Sequence, residues 1–232
     1  MKIYAHRGAS HDFPEMTRAA YEGAIEQGAD GFECDIRLTR DGILICWHDE
    51  DLKRIAGSSL RVAHSTLAQL KSVTEILTFD ELLDLALTHK KSLALETKHP
   101  VPTRGLVERR VLNLLEKRAQ EIAASGIEIS IISFSWRAIA RIRNSGYLSI
   151  YLIAHRWQRF FSIGDGIGPG IFLLRNNHEL GAKLRARRRR LFIWTVNTPA
   201  DLEIAYQAGA DVVMSDRPAQ MKAALERLQA AQ

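Results

Sequence analysis

Apolar residues in this chain gather into short runs, and between those runs they recur every three or four positions. The runs predict strands at residues 2–5, 31–37, 92–97, 128–134, 148–154, 170–174, 191–196 and 211–215. The wider spacing predicts helices at 16–27, 79–87, 105–124, 136–144, 178–188, 199–207 and 219–230. Local signals mark helix ends: Thr198-Pro199-Ala200-Asp201 offers an N-cap, a proline at the first helical position and an early acid, while Gly28 and Gly209 stop their helices. Eight strands separated by helices imply parallel pairing, and closing them gives a (β/α)8 barrel, a fold usually ~250 residues long. This α/β arrangement fits 232 residues. The weakest crossover runs from Arg156 to Pro169, where Gly164, Gly166, Gly168 and Gly170 read as loop, so an open doubly wound sheet is the competing architecture. Between the second strand and the next helix, the tight-turn pair Asp41-Gly42 precedes a strand-like run at 43–48. A small β-hairpin insertion after strand two is expected, and it would carry His48 back over the end of that strand.

No linker or composition shift divides the chain, so residues 1–232 read as one domain. At 46% hydrophobic residues it can bury a sizeable core, and no run approaches the ~18 apolar residues of a membrane span. The first strand meets Arg7 almost at once, which leaves no room for a signal peptide's apolar region, and a cytoplasmic location is expected. Cys34 and Cys46 lie inside apolar runs and read as small buried hydrophobes of a reducing compartment. A net charge of +5 leans toward anionic partners without calling for nucleic acid. Much of the excess lies in Arg185, Arg187, Arg188, Arg189 and Arg190, a run expected at the N-terminal base of the barrel. It reads as a solvated face, with a weak anionic-membrane contact as the alternative. No oligomeric state follows from the pattern.

Ionisable residues collect where the strand-like runs stop. Glu33 and Asp35 are one residue apart on a strand and so share a face, with Cα atoms ~7 Å apart. Such a pair can bind a hard divalent cation or act as an acid/base couple in the manner of a glycosidase. Glu96, ending the next barrel strand, favours the cation, because three converging carboxylates repel one another. His6 and His48 flank that cluster without zinc-type spacing to other ligands, which suits general acid and base work. Arg7 and Lys98 supply positive charge for a phosphate, or else pair structurally with Glu15 or Glu33. Trp194, near the end of the seventh strand with Asn197 beyond it, can wall a substrate's carbon backbone. His11, His99 and His155 lie near strand ends; His64, His89 and His178 fall in loops or at helix ends and read as solvated.

Taken in order, His6-Arg7-Gly8, Pro14-Glu15-Met16-Thr17, the stretch from Gly28 to Asp35, Thr39-Arg40-Asp41-Gly42, His48-Asp49, Glu96-Thr97-Lys98, Ser133-Phe134, Trp194 to Asn197 and Ser215-Asp216-Arg217-Pro218 resemble the signature segments of glycerophosphodiester phosphodiesterases. The resemblance runs from residue 3 to about residue 218. It implies a TIM barrel that uses one divalent cation, Mg2+ or Ca2+, to hydrolyse a small glycerophosphodiester to glycerol 3-phosphate and an alcohol. By position, His6 and His48 resemble the catalytic histidines, Arg7 and Lys98 the phosphate contacts, Trp194 the glycerol wall and Glu33, Asp35 and Glu96 the metal ligands. Glu15 resembles the glutamate that orients the first His-Arg pair. One departure is Met16, where the family usually carries Asn. Two rival readings follow. In the first, a lysophospholipid phosphodiesterase works at a membrane surface through Trp157, Phe160 and Phe161 with Arg156 and Arg159. In the second, a non-catalytic barrel binds a phosphate ligand, although such a barrel is expected to have lost a histidine or a carboxylate, and none is missing here.

Overall fold

The computed structural model describes residues 1–161, 163–175, 177–186 and 189–230; Arg187 and Arg188 of the basic run lie outside them, as do the side chains of Phe161 and His178. The chain opens with β1 (Lys2–His6), α1 (Arg18–Glu26) and β2 (Gly31–Leu38), followed by the small elements β3 (Leu44–Cys46), β4 (Asp51–Leu52), α2 (Lys53–Ala56), β5 (Ser58–Arg61) and α3 (Leu67–Lys71). Then come α4 (Phe79–Thr88), β6 (Ser92–Thr97), α5 (Leu106–Lys117), α6 (Ala119–Ser125), β7 (Ile129–Ser133), α7 (Trp136–Ile142) and β8 (Leu148–Ile153). The last third holds β9 (Gly166–Pro169), α8 (Ile171–Arg175), α9 (His178–Arg185), β10 (Arg190–Ile193), α10 (Pro199–Gln207), β11 (Val212–Ser215) and α11 (Pro218–Ala230).

Strands β1, β2, β6, β7, β8, β9, β10 and β11 pair in parallel in that order, and β11 returns to β1, which closes the barrel. The expected hairpin is present: β3 runs antiparallel to the end of β2, pairing Ile36 with Cys46 and Leu38 with Leu44. A second, unanticipated hairpin joins β4 to β5. Side chains alternate across the barrel wall. Tyr4, Ala94, Ile132, Ile150, Leu152, Phe192, Val212 and Met214 pack together inside, whereas Ile3, Phe32, Cys34, Leu93 and Leu95 belong to clusters under the helices. Both cysteines are free and buried. Among the described residues no helix is long and apolar enough to cross a membrane.

The sixth barrel strand lies earlier than the apolar run at 170–174 predicts. It is β9, and most of that run is the helix α8, which buries Ile171, Leu173 and Leu174. Two of the glycines that read as loop, Gly166 and Gly168, lie in the strand. A Cβ on Gly166 would lie 2.4 Å from Ile150 Cδ1 and 2.6 Å from the Arg190 carbonyl, and one on Gly168 would lie 2.5 Å from Leu152 Cδ2. Bare positions at Gly166 and Gly168 let β8 and β10 close around this strand, whose Ile167 packs under the helices. The crossover before it holds a short 3-10 helix, Arg156–Phe161, in place of a full α-helix. The long helix expected at 105–124 is instead α5 and α6, broken at Arg118, whose guanidinium pairs with Asp80, Asp84 and Glu121.

Candidate active site

Alternation on three neighbouring strands builds the centre of the site. His6 ends β1, Glu33 and Asp35 lie on β2, and Glu96 lies on β6, with His6 paired to Glu33 and Asp35 to Glu96 in register. All four therefore meet inside the C-terminal mouth. Strand alternation would send Arg7 outward, yet its backbone turns left-handed, at φ 58°, and its guanidinium comes inward instead. That turn is held by the Arg7 N–H, which donates to the backbone and side-chain oxygens of Glu33, each at 3.1 Å, and by the Met16 N–H on the Arg7 carbonyl at 2.9 Å. Met16 itself sits at φ 57°, a conformation that Asn tolerates better than Met. Gly8 follows at φ 83°, pressed so closely on α1 that a Cβ would lie 2.7 Å from Ala20.

The hairpin returns His48 to the same mouth, because Trp47 N–H donates to the Asp35 carbonyl at 2.9 Å and Arg37 Nε to the His48 carbonyl at 2.9 Å. A cavity of about 250 Å3 is then lined by His6, Arg7, Glu33, His48, Glu96 and Lys98 on one side. Ile132, Phe134, Leu152, Trp194 and Met214 line the other. Trp194 is fixed by its indole N–H on the Gly168 carbonyl at 2.8 Å and by edge-on contact with Phe134. Asp35 lies beneath, with Arg7 Nε 3.0 Å from one of its oxygens and Lys98 Nζ 3.1 Å from the other. Lys98 also reaches Glu96 at 2.7 Å, and Arg7 reaches Glu15 at 3.3 Å. The structural pairing raised for these two cations is thus real, but mostly with Asp35 and Glu96 rather than with Glu33.

Oxygens of Glu33, Asp35 and Glu96 lie within 4.8 Å of one another, and all three carboxylates are buried. Although Asp35 has cations at both oxygens, neither contact is aligned as a hydrogen bond, so its lone pairs remain free for a further ligand. Burial and the neighbouring Asp35 push Glu33 up to about 8, and the same two causes raise Glu96. Asp35 is lowered, because Lys98 and Arg7 outweigh its burial. A buried all-oxygen donor set short of positive charge fits a hard divalent cation.

Each histidine has its Nδ1 on a carboxylate: His6 on Asp216 at 2.6 Å and His48 on Asp49 at 2.7 Å. An Nδ1 engaged in this way leaves Nε2 for other work, and His6 Nε2 lies 3.9 Å from Glu33. For His6, burial is outweighed by Glu33 and Asp216 and the imidazole is raised; for His48, burial together with Lys98 and Arg7 lowers it. Sequence reasoning assigned no role to the residues that hold these rings. Asp216 takes hydrogen bonds from Asn197 at 2.6 Å and from Ser10 at 3.1 Å, which with His6 bring it down to about 2 against its burial. Arg54 clamps Asp49 at 2.6 Å and Glu15 at 2.5 Å, tying the two histidine neighbourhoods together. Their signal in the sequence is faint: Asp216 and Asn197 stand within segments that resemble the family's, whereas Arg54 stands in none.

A model of the glycerophosphoryl diester phosphodiesterase family matches residues 6–220. Over 97% of its length the chain is 33% identical to a probable glycerophosphodiester phosphodiesterase 1 of Mycobacterium tuberculosis, covering 92% of that protein. Among solved structures, a glycerophosphodiester phosphodiesterase from Thermotoga maritima superposes with a TM-score of 0.78 at 25% identity, covering 94% of this chain and 96% of that one. An Oleispira antarctica phosphodiesterase, solved with the product sn-glycerol-3-phosphate, shares the fold with a TM-score of 0.85 at 21% identity over 97% of both chains.

Proposed function

The chain belongs to the glycerophosphoryl diester phosphodiesterase family, and from that premise we propose that it hydrolyses glycerophosphodiesters to glycerol 3-phosphate and an alcohol by histidine acid/base catalysis assisted by one divalent cation. The observation that carries this reading is the cavity itself, in which two carboxylate-oriented imidazoles, Arg7 and Lys98 face a buried carboxylate triad, with an apolar wall opposite. Glu33, Asp35 and Glu96 would hold Mg2+ or Ca2+, which when bound supplies Lewis-acid neutralisation of the phosphate's charge. Arg7 and Lys98 bind the non-bridging phosphate oxygens as those oxygens gather charge. Water forms the new O–P bond in line with the one that breaks; where the glycerol 2-hydroxyl attacks first, the alcohol leaves as a cyclic phosphate forms, and water then breaks the 2-O–P bond to give glycerol 3-phosphate. One imidazole takes the nucleophile's proton at Nε2 and the other gives a proton to the departing alkoxide, so the pair ends with its protons exchanged. Asp216 and Asp49 keep each ring turned for that transfer. Trp194 and Phe134 pack on the carbon atoms of glycerol.

The reading is tested by incubating the purified protein with glycerophosphoglycerol and measuring glycerol 3-phosphate. Release is expected with Mg2+ or Ca2+ and should cease in excess chelator; full activity after metal stripping would sink the cation. A second reading, lysophospholipid cleavage at a membrane surface, is favoured by Trp136, Trp157 and Phe160, exposed at 54%, 60% and 66% just beyond β7 and β8. Faster turnover of vesicle-borne lysophospholipid than of the soluble diester would make it the better one.

A further inference from the structure

Beside the catalytic cavity lies an open groove enclosing about 850 Å3, lined by His99, Arg104, Phe134, Ser135, Arg137 and Arg141 together with Pro100 and Val101. Phe134 lines both spaces, and Lys98 of the cavity is followed directly by His99 of the groove. Among the described residues no Asp or Glu lines the groove. Of its guanidinium groups, Arg141 is held in place: it lies so flat on Gly105 that a Cβ there would meet its Nε at 2.5 Å, and the buried Glu108 carboxylate approaches it to 3.8 Å. Arg104 and Arg137 make no ion pair among the described residues; Arg137 rests on the exposed Trp136 ring, 5.3 Å from its centroid. Arg104 and Arg137 are exposed, and with Arg141 they line one groove beside the reaction centre, so together they offer an anion a charge-assisted site that the protein itself leaves without a carboxylate.

Resting on the function proposed above, we infer that this groove is the leaving-group subsite and that it selects glycerophosphodiesters whose alcohol carries an anionic group, a phosphate or a carboxylate. With glycerol against Trp194 and the phosphate at Arg7 and Lys98, the departing oxygen is directed past His99 and Phe134. A charged group on the alcohol's far end then meets Arg104 and Arg137, while Arg141 fixes the groove's floor. The preference acts on substrate binding and leaves the proton transfers to the histidines.

The test compares three diesters in the presence of the divalent cation: glycerophosphoglycerol, whose leaving alcohol is uncharged, one whose alcohol is a phosphorylated polyol, and one whose alcohol is a hydroxy acid. Wild-type protein should favour at least one anionic diester in kcat/KM. In the Arg104→Ser/Arg137→Ser double variant that preference over glycerophosphoglycerol should fall at least about 10-fold, the scale of a lost charge-assisted contact, and through KM rather than kcat. Arg137→Glu should lower it further with an unchanged melting temperature. A fall in either anionic arm upholds the subsite and names its anion. An equal ratio in wild type and variants would overturn it, whereas a wild-type protein that cleaves none of the three would overturn the activity itself and the subsite with it.

Discussion

The inner surface of the barrel is divided into two sectors made by the same strand alternation. Over β1, β2 and β6 the inward positions are His6, Glu33, Asp35 and Glu96, joined by Arg7 and Lys98; over β7 to β11 they are Ile132, Phe134, Leu152, Trp194 and Met214. The first sector buries charge, and every buried charge has to be answered. Its partners accordingly come from far along the chain: Asp216 for His6 and Arg54 for Glu15. The apolar sector needs no such partners. It is held by packing, with side chains of the neighbouring strand β8 filling the space that a Cβ on Gly166 or Gly168 would take. A barrel strand thus fixes where a side chain points, but in the charged sector orientation also depends on groups outside the barrel wall.

The largest expected effect separates the sectors directly. His6→Ala and His48→Ala should each lower kcat at least ~100-fold, as loss of a general acid or base does, while the circular-dichroism melting temperature stays near wild type. A collapse of the melting temperature in step with activity would place these imidazoles in the structural scaffold. Next comes the positioning layer: Asp216→Asn keeps the shape but weakens the grip on His6 Nδ1, and should cost roughly 10- to 100-fold in kcat. The same variant has an acid-stability signature. Asp216 is held at about 2 in the folded protein against an ordinary 3.8, by the hydrogen bonds that outweigh its burial. The unfolded chain therefore binds more protons between those values, and the stability that the carboxylate contributes is present above pH ~4 and lost as pH falls toward ~2. Denaturation curves in that window should be flatter for Asp216→Asn than for wild type; parallel curves would refute the assignment. In the apolar sector the effect should be smaller and of another kind. Trp194→Ala should raise KM about 10-fold with kcat largely kept, since an apolar wall binds ground state and transition state alike.

The two sectors were unequally legible in the sequence. Inward positions on β1, β2 and β6 follow from period-two alternation, which is why the sequence alone places His6, Glu33, Asp35 and Glu96 on one mouth. The hairpin that returns His48 was announced by Asp41-Gly42. Arg7 breaks alternation: its inward aim comes from a left-handed residue held by Glu33 and Met16, a tertiary arrangement that no local period reports. The sixth strand was misplaced for the opposite reason. Glycine has low strand propensity, so 166–169 read as loop and the apolar run beyond it as strand, whereas closing the barrel favours the thin segment. Arg54 was invisible because its two acidic partners converge on it only through the hairpins.

The smallest effect is expected farthest from both sectors, at the basic run before β10. Arg185 pairs with Asp211 at 2.6 Å, and Arg190 pairs with Glu128 at 2.9 Å; those acids directly precede β11 and β7, which puts this part of the chain at the base of the barrel. Barrel strands of four to eight residues separate base from mouth by roughly 13–26 Å at about 3.3 Å per residue. The Debye length at physiological salt is only about 8 Å, so the field of these arginines is largely screened before it reaches the phosphate. Replacing Arg187, Arg188 and Arg189 with Ser should therefore leave kcat/KM on glycerophosphoglycerol within about twofold at 0.15 M salt, because the steering term is screened. Adhesion to anionic vesicles, measured by co-sedimentation, should weaken in the same variant, as each basic residue near such a surface contributes about 1 kcal/mol. A steep, salt-dependent loss of kcat/KM would place this run within electrostatic reach of the charged sector and break the separation between the barrel's base and its mouth.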